Sequence, residues 1–214
     1  MPSVKPKRPY ESALRKRQAA QTRMRILDAA QQLFDERGYA ATTVEAIAAA
    51  AEVAVDTVYA SFGSKRSVLQ ALLGVRVGGD EAVIDLLDRP GPQAVRHETD
   101  QRRQITSFAA DLTSIIERAG PVDGIIRGAA AVDADLAAFR VTAQEGRHRN
   151  MRQLVSWLAA NGPLKAGLTE DDAADIVWTM ASPEVHHLLR VVRGWTPERY
   201  TAWLAETLTQ ILLP

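Results

Sequence analysis

The chain has 214 residues, 46% of them hydrophobic and 24% charged, which is enough apolar material for one large or two small cores. It contains no cysteine, which excludes disulfides and thiolate metal sites and fits a reducing cytoplasm. There is no uncharged apolar run of about 18 residues and no apolar leader core at the N-terminus, so a cytoplasmic protein without membrane association is expected.

Formal net charge is zero, but the charges are unevenly placed. Residues 1–66 carry 11 Lys/Arg against 7 Asp/Glu, a net of +4, while the rest carry 15 against 19, a net of −4. A basic head on an acidic body implies two jobs, although a solvated tail has the same composition.

In chain order, residues 1–18 hold Pro2, Pro6 and Pro9 among basic residues and are expected to form a flexible basic arm. From about Gln21, Ile26, Leu27, Ala30, Leu33 and Phe34 recur on one helix face until Gly38 stops the helix. The second helix starts at one of two threonines. Thr42 makes a capping box with Glu45, whereas Thr43 caps without an acidic partner. That helix runs to Ala50 or Ala51, and a third spans about 55–62. Gly63-Ser64-Lys65 breaks it, and Ser64 caps a fourth running towards Gly78-Gly79.

Beyond residue 80, helices are expected near 80–88, 100–119, 122–132, 134–161, 169–181, 184–193 and 197–213. Pro90-Gly91-Pro92, Gly120-Pro121, Gly162-Pro163, Ser182-Pro183 and the stretch from Gly194 to Pro197 supply the breaks. No strand-like alternation competes, so the fold is read as all-α.

The stretch 42–65 has the pattern of a helix-turn-helix. Ala48 and Ala51 let two short helices approach, and Ile47, Val53, Val58 and Phe62 supply their shared core. Val55, Asp56, Thr57, Tyr59 and Ser61 are left to face outward near the start of the second helix, the end that enters the major groove in such motifs.

At Gly38-Tyr39, Thr42-Thr43, Ile47-Ala48, Ala51, Val53, Thr57-Val58-Tyr59, Phe62 and Ser64-Lys65 the chain resembles the TetR family of transcriptional regulators. The resemblance implies a three-helix DNA-binding domain over 19–66 and a larger helical body over 67–214 that binds an effector and dimerises. It implies phosphate contacts from Tyr59 and Lys65, with Thr43 and Thr57 donating in the same way. Val55 suits a thymine methyl, and Asp56 either accepts from a cytosine amine or complements the dipole of its helix. In the arm, Arg15, Lys16, Arg17 and Arg23 are candidate contacts to phosphates or a minor groove. Two residues depart from the family pattern. Glu52 stands where a turn glycine is common and must accept a positive φ, at about 1 kcal/mol; Ala54 stands where a capping Ser or Thr is common.

The expected partners are double-stranded DNA at a palindromic operator, a second copy of the chain and a small-molecule effector. Dimerisation follows because one short recognition helix covers too few base pairs. Leu188, Leu189, Val192, Trp203, Leu204, Leu208, Ile211 and Leu212 form stripes that pack either with symmetry mates or within their own core. Ligand-lining candidates are Phe108, Leu112, Arg127, Phe139, Met151, Trp157 and Trp178, although aromatics and methionines at helical spacing are more often plain core and Arg127 reads equally as a surface residue. His97, His148, His186 and His187 lack metal-ligand spacing, and no phosphate loop or nucleophile elbow occurs, so no cofactor, metal or catalysis is expected. The expected function is a repressor released by its effector; the alternative is a DNA-binding regulator or architectural protein without one.

Overall fold

The computed structural model describes residues 9–214, with side chains from Arg15 onward. Two compact units divide within one helix, the first ending at Gly74 and the second beginning at Val75.

The first unit contains α1 (Pro9–Ala41), α2 (Val44–Ala50) and α3 (Val55–Phe62), and α4 (Lys65–Gly78) runs across the division. Helix α1 begins about twelve residues earlier than the apolar periodicity places it, so residues 9–18 of the expected arm belong to this helix. Residues 1–8 of that arm lie outside the described residues. At Gly38 the backbone leaves helical geometry, at φ 76, and the chain turns where the sequence places the stop. Ile26, Leu27, Ala30, Leu33 and Phe34 are buried together with Val44, Ile47, Ala48, Val58, Val68, Leu69 and Leu72. Each large aliphatic or aromatic side chain so buried contributes about 1.5–3 kcal/mol.

In the second unit the segment expected to be a helix over 80–88 is instead a loop ending in a short 3₁₀ turn (Leu86–Asp88). The cause is Arg89, whose guanidinium donates to the Gly78 carbonyl, to Asp80 Oδ1 at 3.0 Å and to the Ala82 carbonyl at 3.0 Å. This clamp leaves Val83 and Ile84 exposed, without the buried face that stabilises a helix. Pro90-Gly91-Pro92 opens α5 (Pro90–His97) rather than separating helices, since a proline in the first turn has no hydrogen bond to lose.

Helix α6 (Gln101–Ala129) passes straight through Gly120-Pro121, where a break was expected. Pro121 is exposed, and the halves on either side are fixed by buried Ile116, Ala119, Val122 and Ile126. Packing outweighs the one missing N–H. Then come α7 (Ala134–Asn161), α8 (Glu170–Met180), α9 (Pro183–His187) passing into a π-helical turn (Leu188–Val192), and α10 (Pro197–Leu212). Side-chain caps from Asp100, Asp133, Thr169, Ser182 and Thr196 set their starts.

The core of this unit joins Ile105, Ala109, Leu154, Leu158 and Val177 to Tyr200, Leu204, Leu208 and Leu212. The last three leucines have no exposed surface, so this part of the terminal stripe serves its own core rather than a symmetry mate. Leu188 and Val192, with Val191, are more than half exposed. Among the described residues no strand occurs, and no helix is long and apolar enough to cross a membrane.

Candidate nucleic-acid interface

Thr43 is the cap of α2: its hydroxyl accepts from the Ala46 N–H at 3.1 Å. The alternative capping box from Thr42 does not form, because Thr42 is buried with its hydroxyl directed at the Gly38 and Leu33 carbonyls, 2.9 and 3.2 Å away. Thr42 closes the end of α1 while Thr43 stays exposed at the start of α2.

Helix α2 ends in a Schellman turn. The Val53 N–H donates to Ala48 and the Glu52 N–H to Ala49, at 3.0 and 3.1 Å, with Glu52 between them at φ 52. The positive φ required of Glu52 is therefore present. The turn carbonyls of Ala51 and Glu52 both accept from Arg25 on α1, the latter at 3.1 Å. Ala54 precedes α3 without a side-chain cap, and Gly63, at φ 79, closes it with an N–H to the Tyr59 carbonyl at 2.8 Å. The Ser64 hydroxyl then accepts from the Ser67 N–H, starting α4.

Val58 is the fully buried member of α3, fixing the opposite face outward. Asp56 and Tyr59 are exposed, Tyr59 by 46% of its surface, while Val55, Thr57 and Ser61 are half-buried along the same helix. Arg15, Lys16 and Arg17 are exposed on α1.

Two expected phosphate ligands have intramolecular work. The Lys65 ammonium donates to the Tyr39 and Thr42 carbonyls, both at 2.7 Å, and lies 4.2 Å over the Tyr39 ring. Arg23 donates to the Ser61 carbonyl at 2.7 Å and stacks 4.2 Å from the Phe62 ring. With Arg25 they make three cationic ties that hold the connection before α2, the turn after it and the end of α3. Arg25 escaped sequence reasoning. It lies outside the motif, and only its basic character among the polar positions of α1 hinted at it.

In the second unit the ligand-lining candidates separate. Phe108, Leu112, Met151 and Trp157 border one small apolar cavity of about 50 Å³. Trp178 lines an open cleft of about 1100 Å³ beside α7, α8 and α9. Arg127 lines a groove of about 380 Å³ with Glu117, His186 and Arg190. Phe139 borders none of these. His186 is buried, its Nε2 2.8 Å from Glu117 Oε1, and desolvation holds its pKa below the usual imidazole value. Among the described residues no three His, Cys, Asp or Glu side chains are grouped as a metal site.

A buried-core trihelical unit with a Schellman turn, followed by a second unit built only of helices, defines a helix-turn-helix protein with a helical companion domain. Residues 26–72 match the family described as bacterial regulatory proteins, tetR family. The matched segment is the helix-turn-helix, and the likeness over most of the chain's length is one of fold. Over 52 residues it is 46% identical to the uncharacterized HTH-type transcriptional regulator YvkB of Bacillus subtilis (strain 168), a match spanning 24% of this chain and 28% of the relative. A TetR-family transcriptional regulator structure from Syntrophomonas wolfei superposes with TM-score 0.71 at 16% identity, covering 89% of this chain and 94% of the other. The regulator FadR of Bacillus subtilis, in complex with stearoyl-CoA, superposes with TM-score 0.67 at 18% identity, covering 86% and 96%.

Proposed function

We propose that this protein is a homodimeric DNA-binding transcriptional regulator, a repressor that a small molecule releases from a palindromic operator. The observation that carries the reading is α3: buried on Val58, tied at its end by Arg23, and presenting Asp56 and Tyr59 outward from a turn fixed by Arg25. Such a helix enters a major groove with its first residues at base edges.

In this reading Val55 and Asp56 face bases, and Tyr59, Thr57, Thr43 and Ser61 donate to phosphates. Arg15, Lys16 and Arg17 add backbone charge. Lys65 and Arg23 serve as positioning residues that keep α3 in place. The effector binds the second unit, a reading supported by the ligand seen in the FadR relative. It acts through α4, which is continuous from one unit into the other. Moving the dimer from 99:1 to 1:99 in favour of release takes about 5.5 kcal/mol of differential binding.

The test is selection of bound sequences from a random duplex pool with the full chain, followed by competition between the selected site and random DNA. Enrichment of an inverted repeat with half-sites about 34–36 Å apart, or a multiple of that, is expected. Equal binding to random DNA favours the architectural alternative and removes the operator reading.

A further inference from the structure

The cleft beside α7, α8 and α9 holds a surplus of guanidinium groups at its inner end. Glu184 Oε1 is shared by two arginines, Arg140 Nη2 at 2.9 Å and Arg127 Nη1 at 3.4 Å. The second nearby acid, Asp123, is mostly buried, and loss of solvation raises its carboxyl above its ordinary value against the pull of Arg127, Arg140 and Arg147. Arg147 has no carboxylate within ion-pair distance among the described residues. Its Nε donates to Gln144 Oε1 at 3.1 Å and its Nη1 to the Trp178 carbonyl at 2.6 Å, which leaves Nη2 without a protein acceptor at the cleft wall. Burial presses its guanidinium down to about 10, against the pull of the Glu184 and Asp123 carboxylates.

The unpaired polar atoms have the same bias. Arg140 Nε, Trp178 Nε1 and the hydroxyl of fully buried Tyr200 lack partners, and all three can donate. Asp123 Oδ2 is the single unpaired acceptor oxygen beside them. Further out, His148 pairs with Asp175 at 2.7 Å, and Glu145 and Arg149 line the wall with opposite charges. Ala130, Ala137, Val141 and Val185 make the remaining wall apolar. The volume of about 1100 Å³ lies just above the range of about 300–1,000 Å³ usual for a small-molecule site.

We infer that this cleft binds an organic carboxylate, its anionic head against Arg147 and Arg140 and its apolar body along Trp178 and Val141. A carboxylate supplies two acceptor oxygens to guanidinium forks whose remaining protein partners are a carbonyl, an amide and one shared glutamate. The inference deepens the regulator reading by naming the chemical class of the effector, and its regulatory meaning rests on that reading.

The experiment titrates the full chain with benzoate and octanoate, each against its amide and its primary ammonium counterpart, following tryptophan fluorescence and thermal stability. The carboxylates are expected to bind and stabilise, the amides and ammonium compounds to bind at least about tenfold more weakly. Arg147→Gln is expected to weaken carboxylate binding about tenfold or more. Glu184→Gln, which releases Arg140 and Arg127 from their shared acid, is expected to strengthen it. Opposite signs for two folded variants, checked by circular dichroism, exclude a general loss of structure.

Equal affinity for acid and amide, binding by neither up to the solubility limit, or an unchanged Arg147→Gln protein overturns the inference. So does protection of residues 140–148 from hydrogen exchange by a second copy of the chain without ligand. Operator binding is measured separately. Carboxylate binding without any effect on operator affinity leaves the site standing and removes the effector role, whereas absence of any operator removes the regulator reading and leaves the titration untouched.

Discussion

Replacing Glu52 by glycine should make the protein more stable. Glu52 is the non-glycine residue held at positive φ among the described residues, and its carboxylate has no hydrogen bond or ion pair there. A side chain in the left-handed region costs about 1–2 kcal/mol. Glycine removes that strain but gives the unfolded chain more freedom, worth about 0.4–1 kcal/mol, so the net gain is about 0.5–1 kcal/mol. Glu52→Ala keeps the Cβ and the strain, and isolates the effect of losing the charge. Equilibrium urea unfolding of the three proteins should place glycine above both others, with alanine near the parent. If the first unit unfolds by itself, the midpoint temperature rises by about 3–6 °C; if the whole chain unfolds together the rise is about half that. A neutral or destabilising glycine, or an alanine protein matching it, would refute the claim that backbone strain resides at this turn.

Lys65→Met keeps the aliphatic stem but leaves the Tyr39 and Thr42 carbonyls without their donor, so it should lower stability by about 1–3 kcal/mol; Tyr59→Phe should weaken DNA binding with unchanged unfolding. Full stability in Lys65→Met would return that residue to a purely phosphate-binding role. Gly91→Ala should destabilise the second unit, because a Cβ there would lie 2.0 Å from an Asp111 carboxylate oxygen; calorimetry reading no loss would sink this. His186 has a folded pKa below 6.5, chiefly through desolvation and against the pull of Glu117. The unfolded ring takes up the proton more readily, so its contribution to stability is present above pH 6.5 and is lost as pH falls below it. Arg190 and His187 also oppose the charged ring. A pH series on His186→Gln should lack this slope.

The helix-turn-helix was legible because its determinants are local. Ile47, Ala48, Val58 and Gly63 act within one or two helical turns of each other, and even the strain at Glu52 follows from its place after α2. The cationic ties were not legible, since Arg23, Arg25 and Lys65 reach carbonyls 23 to 38 residues away, and a carbonyl acceptor exists at every position and leaves no trace in sequence. The same limit explains α6. Gly120-Pro121 is a local stop signal, overruled by buried neighbours on both sides. It also explains the terminal stripe, where an apolar face announces burial without naming what buries it. For the ligand-lining candidates, residue type singled out Trp178 and Arg127, but nothing local in the sequence signals that Arg140, Arg147 and Glu184 meet, since α7 and α9 bring them together.

The carbonyl-bound cations alter how the basic head should respond to ionic strength. Each phosphate neutralised on duplex DNA releases counterion and adds about 0.9 to the slope of log affinity against log salt. Arg23, Arg25 and Lys65 direct their charge at the peptide backbone of their own domain. Under the proposed DNA-binding reading, a count of formal charge overstates the ion release by about three per subunit, and the slope is expected to report mainly on Arg15, Lys16 and Arg17.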